Sequence, residues 1–169
     1  MNRLYTLKTL IDLFFFFAAF AMIAAVFIVP MVWFTDFDLP MKVRGQEIST
    51  MDTAAKILIT FAAAGAICFV YAIYFLRDTI NFFIERKIFH PKVIVNLYRI
   101  GVYIIVSSLL TNLPLFFYNV IKRENLNIEF GASGFDSLIL SVSLGLFFIV
   151  LSEVFKMGLQ MKEENELTV

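Results

Sequence analysis

The sequence predicts an all-α membrane protein: a single domain over residues 1–169, built as a four-transmembrane-helix bundle with a small extracytoplasmic β cap from its two outer loops. Three observations predict it. Apolar residues make up 60% of the 169-residue chain, with 21 Phe and a mean hydropathy of +0.84, more apolar surface than one water-soluble core of this length can bury. These residues gather into four runs, each matching the roughly 20 residues that a helix needs to cross a bilayer. Charges concentrate between the runs and at the two ends.

The first run extends from about Leu10 to Phe34 behind the basic residues Arg3 and Lys8. It is longer than the roughly 7 to 15 apolar residues of a signal peptide and ends in bulky side chains, so it is expected to be a retained span. Trp33 and Phe34 fit an interfacial belt at its outer end. Asp12 stands near the inner end, at the level where a charge reaches the headgroups. The loop that follows carries MKVRGQEI, whose alternation predicts a short strand or hairpin around Gly45.

The second span runs from Thr53 to about Leu76. Its small residues Ala62, Ala63, Ala64, Gly65 and Ala66 predict close helix packing. Apolar residues recur at Ile80, Phe83, Ile84 and Ile88 between charges, so the helix is expected to emerge and continue to about Lys87. His90 before Pro91 then breaks it, and Pro91 suits the first turn of the next helix. That helix starts with an amphipathic turn containing Lys92, Asn96 and Arg99, and becomes the third span from about Ile100 to Ile121. The second outer loop, Lys122 to Asp136, contains the alternating NLNIEF, and its pairing with the first loop is the expected cap. A fourth span from about Ser137 to Gly158, with Ser141 and Gly145 four apart, leads into a polar tail, residues 159–169.

Counting bases gives an orientation. Arg3, Lys8, Arg77, Arg86, Lys87, Lys92, Arg99, Lys156 and Lys162 make nine on one side, against five on the other, Lys42, Arg44, Lys56, Lys122 and Arg123. The excess of bases predicts cytoplasmic N- and C-termini, with the two loops that carry strand-like alternation outside.

Function is less legible. Net charge is zero, which gives no electrostatic footprint for direct nucleic-acid binding. One cysteine, Cys68, excludes an internal disulfide, and one histidine, His90, argues against a His/Cys metal centre. No phosphate-cradling glycine loop, paired-histidine helix or nucleophile elbow is present, so neither a cofactor nor an enzyme activity is expected.

Two constellations remain. Asp12, Arg77, Asp78, Asn81, Arg99, Glu153 and Lys156 concentrate charge at the inner boundary, either as a salt-bridged layer with snorkelling bases or as a cytoplasm-facing docking site. Ser107, Ser108, Thr111 and Asn112, just before Pro114, form two adjacent stripes near mid-membrane. Their two readings are interhelical hydrogen bonding and the lining of a polar cavity in a small transporter or ligand-binding bundle.

The final stretch from Glu153 to Val169 (EVFKMGLQMKEENELTV), with Phe89, Val93, Leu97, Ile100 and Gly101 of the inner loop, resembles the YoaS-like bacterial membrane proteins, domain of unknown function 2975. The resemblance implies a four-span inner-membrane protein often encoded beside a short helix-turn-helix regulator. On it rests the expectation of a non-enzymatic, membrane-anchored regulatory module that docks a small helix-turn-helix partner in the cytoplasm. The other partners expected are the lipid bilayer and a second copy of the chain.

Overall fold

The computed structural model describes residues 2–34, 42–43, 46–47, 53–122 and 135–167. Its elements are α1 (Asn2–Phe34), a short ladder of β1 (Lys42–Val43) and β2 (Gln46–Glu47), α2 (Thr53–Ile84), α3 (Pro91–Lys122) and α4 (Phe135–Leu167). All four helices are long and apolar enough to cross a membrane.

Successive helices run antiparallel. Asp12 near the start of α1 meets Arg77 near the end of α2, while Trp33 at the end of α1 donates its indole N–H to Thr60 Oγ1 near the start of α2. Asp78 of α2 meets Asn96 of α3, and Ser152 of α4 donates to the Ile94 carbonyl of α3. The start of α1 and the end of α4 therefore lie on the side of the α2–α3 turn.

The predicted bundle is an open row rather than a ring. Among the described residues α1 packs on α2, α2 on α3 and α3 on α4, and no other pair of helices approaches backbone to backbone. Burial follows from that order. None of the most apolar window of α1 is buried, against 44% of that of α3. The compact centre is Ala72 of α2 with Val93, Leu97, Ile100 and Ile104 of α3, flanked by Phe148, Leu151 and Phe155 of α4. Phe14, Phe17, Phe20 and Phe27 of α1 project outward, and lipid is the medium in which such side chains are not penalised.

Small residues set the closest approaches. A Cβ on Gly101 would meet the carbonyl of Gly145, and one on Gly145 would lie 2.5 Å from Ile105 Cγ1 and 2.8 Å from the Gly101 carbonyl. Of the predicted small-residue run in α2, Gly65 is the buried member, set against Thr111 and the Ser107 carbonyl.

The α2–α3 turn comes three residues earlier than the predicted end at Lys87. The Arg86 N–H donates to the Phe83 carbonyl and the Lys87 N–H to the Phe82 carbonyl, with Arg86 at φ 60°. This is the Schellman arrangement, with Arg86 in the left-handed position that glycine usually takes. His90 then caps α3. Its Nδ1 accepts from the Lys92 N–H, its carbonyl accepts from the Val93 N–H, and its ring stacks on Phe82.

The predicted cap has no support among the described residues. β1 and β2 pair only with each other, Lys42 opposite Glu47 and Val43 opposite Gln46. Residues 123–134 of the second loop lie outside the described residues, so the short ladder of β1 and β2 within the first loop is all that the alternating pattern yields here.

Candidate functional site

Two levels set the scale of the helices. From Asp12 to Trp33, α1 advances roughly 31 Å at ~1.5 Å per residue, about the ~30 Å thickness of a bilayer's hydrocarbon core. The Asp12–Arg77 and Trp33–Thr60 contacts thus lie about one core thickness apart, the spacing expected of its two edges.

At the first edge the predicted charged layer divides into three arrangements. Arg77 Nε donates to Asp12 Oδ1 at 2.5 Å, and the same guanidinium lies 5.4 Å from the centre of the Phe15 ring. Both partners stay partly exposed, as expected of a pair reaching toward headgroups. Asp78, on the next face of α2, accepts from Asn96 Nδ2 at 2.8 Å, so a buried amide ties α3 to a carboxylate. Arg99 lies 5.2 Å over the Phe75 ring, a cation on an aromatic face. That ring stacks on Tyr103, which stacks on Tyr71.

Glu153 and Lys156 pair with each other rather than with this layer. Ser152 is level with Ile94, two residues nearer the start of α3 than Asn96, so Glu153 stands roughly 5 Å outward of the Asp78–Asn96 pair along the axis. The two side chains are exposed and face each other at 3.7 Å within α4.

Two clefts border Asp78. One, of about 400 Å³, opens between α2 and α3 and is lined by Tyr74, Phe75, Asp78, Lys92, Asn96 and Arg99 among others. The other, of about 370 Å³, lies toward α1 and is lined by Lys8, Asp78, Asn81, Phe82, Ile84 and Glu85. In the second, the buried Oδ1 of Asn81 has no hydrogen-bond partner.

The polar stripe of α3 lies elsewhere. Asn112 stands roughly 20 Å beyond Arg99 along the helix, toward the Trp33–Thr60 end. Thr111 Oγ1 donates to the Ser107 carbonyl at 2.9 Å, and Asn112 Nδ2 donates to the Ser108 carbonyl at 2.7 Å and to Ser108 Oγ at 3.1 Å. These bonds run one turn back along α3. Ser107, Ser108 and Asn112 are buried, and Gly65 closes against Thr111 and the Ser107 carbonyl. Neither of the two clefts is lined by any of the four, and these bonds stay within α3.

Sequence reasoning missed Phe15 and Phe75, because nothing in an apolar run says which ring will lie under an arginine. Asn96 and Ser152 were visible as polar residues in apolar surroundings, and that is the signal that a partner was needed. Among the described residues no three His, Cys, Asp or Glu side chains converge as a metal site would require.

No curated protein and no solved structure matches this chain significantly. The family model described as protein of unknown function, DUF2975, matches residues 13–169, from the first turn beyond Asp12 through the exposed end of α4, and the chain belongs to that family.

Proposed function

We propose that the chain is a membrane-anchored interaction module whose docking surface is the exposed end of α4 beside the α2–α3 turn. In this reading both termini are cytoplasmic and the membrane is the bacterial inner membrane, the orientation favoured by the excess of bases on that side. The observation that carries the reading is the continuation of α4 beyond its last packing contact. Phe155 stacks on Phe83 at 6.0 Å, Phe89 lies against Gly158, and every residue from Gln160 to Leu167 is exposed while still helical.

A helix anchored at one end and bare for roughly 13 Å offers a preformed surface that loses little entropy on binding. Met157 and Met161, four apart and exposed, provide an adaptable apolar stripe. Around it one lysine, Lys162, and three glutamates, Glu163, Glu164 and Glu166, leave a net charge of −2, so the surface fits a partner with a basic face. A small helix-turn-helix regulator has such a face where it contacts DNA. Occupation of that face by the tail would hold the regulator at the membrane and off DNA.

The test compares pull-downs from native membranes with the full chain and with a chain ending before Lys162. The full chain is expected to retain a small DNA-binding protein, and the shortened chain to lose it. Capture unaffected by the truncation, or no specific capture at all, would sink the proposal.

A further inference from the structure

We infer that the cleft between α2 and α3 binds the phosphate headgroup of an anionic phospholipid from the adjoining leaflet. Lys92 and Arg99 are seven residues apart, two turns of α3, so both side chains lie on the helix face that lines the cleft. Both are exposed. Among the described residues neither side chain has a hydrogen bond or an ion pair, whereas Arg77, Lys87, Lys156 and Lys162 each face a carboxylate. The one acid in the cleft, Asp78, is engaged by Asn96 Nδ2, and two cations against one anion leave the cleft at +1.

Depth selects a lipid. Arg99 lies over Phe75, two residues from Arg77, and so at the edge of the hydrocarbon core, while Lys92 stands roughly 10 Å further out. The polar layer of one leaflet is roughly 5 to 8 Å thick, so the two cations bracket the plane of the lipid phosphates. Arg99 Cζ lies 5.2 Å from the Phe75 ring centre, and with no hydrogen bond or ion pair among the described residues its N–H groups can meet phosphate oxygens. Tyr74 and Phe75 form an aromatic wall along which the first methylenes of an acyl chain can lie.

The experiment uses the full chain in nanodiscs of phosphatidylcholine with phosphatidylglycerol as a minor component. Lipid that stays with the protein on detergent extraction is quantified by mass spectrometry. Phosphatidylglycerol should be enriched over its bulk share, and Lys92→Gln and Arg99→Gln should each reduce the enrichment about fivefold. Lys156→Gln, whose cation faces Glu153 outside the cleft, should leave it unchanged.

Asp78→Asn should raise the enrichment, because the repelling charge goes while an amide oxygen remains to accept from Asn96. This outcome also separates binding from damage to the fold, since a misfolded chain has no reason to gain anionic lipid. If the glutamine variants fail to fold, the sign of the Asp78→Asn change decides. Equal retention of the two lipids, or no rise with Asp78→Asn, overturns the inference. Displacement of the lipid by millimolar inorganic phosphate would assign the cleft to a soluble anion and also overturn it.

Discussion

Arg86 holds the left-handed position of the α2–α3 turn, where an L side chain crowds its own backbone at a cost of about 1–2 kcal/mol. Glycine lacks that penalty but gives up more freedom on folding. Arg86→Gly and Arg86→Ile lose the same guanidinium, so their difference reports the backbone, and the glycine variant should be the more stable of the two by about 1–3 kcal/mol. Unfolding of the detergent-purified variants checks both, and equal effects of the two substitutions would show that backbone strain at residue 86 is not what matters. The sequence placed this break before Pro91 but did not mark Arg86 as its left-handed residue, because a helix end is usually marked by glycine and an arginine reads as one more solvated charge. The Asp12–Arg77 pair was better marked, since two opposite charges at the same ends of adjacent antiparallel spans have each other as the nearest remedy for partial desolvation. Its aromatic floor, Phe15, depended on rotamers that no pattern of types encodes.

At the scale of elements, the α3–α4 contact is set by Gly101 and Gly145. Each would drive a Cβ into the other's backbone carbonyl, and two backbones cannot yield without moving whole helices. Gly145→Ala should accordingly destabilise the protein by about 1–3 kcal/mol. A Cβ on Gly158 meets only the Phe89 ring, at 2.6 Å, and a side chain can swing aside, so Gly158→Ala should cost less than about 1 kcal/mol. Thermal unfolding in detergent ranks the two, and the reverse order would contradict the assignment of the crossing. Spacing alone pointed to Gly145 as a packing edge. It could not show that the facing residue is Gly101, because the register of two helices comes from the fit of their full surfaces. The polar stripe illustrates the same limit. Sequence spacing identified both the stripe and the small residues of α2, and only packing brought Thr111 against Gly65.

For the whole molecule, roughly 31 Å separates Asp12 from Trp33 along α1, and this length should match the bilayer that suits the protein best. Reconstitution in phosphatidylcholines of graded acyl length should give maximal thermal stability near a ~30 Å core, with losses of fractions of a kcal/mol per Å of mismatch on either side. A stability that does not respond to thickness would mean that Asp12 and Trp33 do not mark the edges. By itself the sequence determined the number of long apolar helices and their order along the chain, because transfer of side chains out of water is a sum over local composition. What only the tertiary structure decided was their arrangement as an open row with α3 at its centre, and the division of the boundary charges into separate pairs. Those outcomes depend on which faces meet and how closely, and non-local contact is not written in any one stretch of chain.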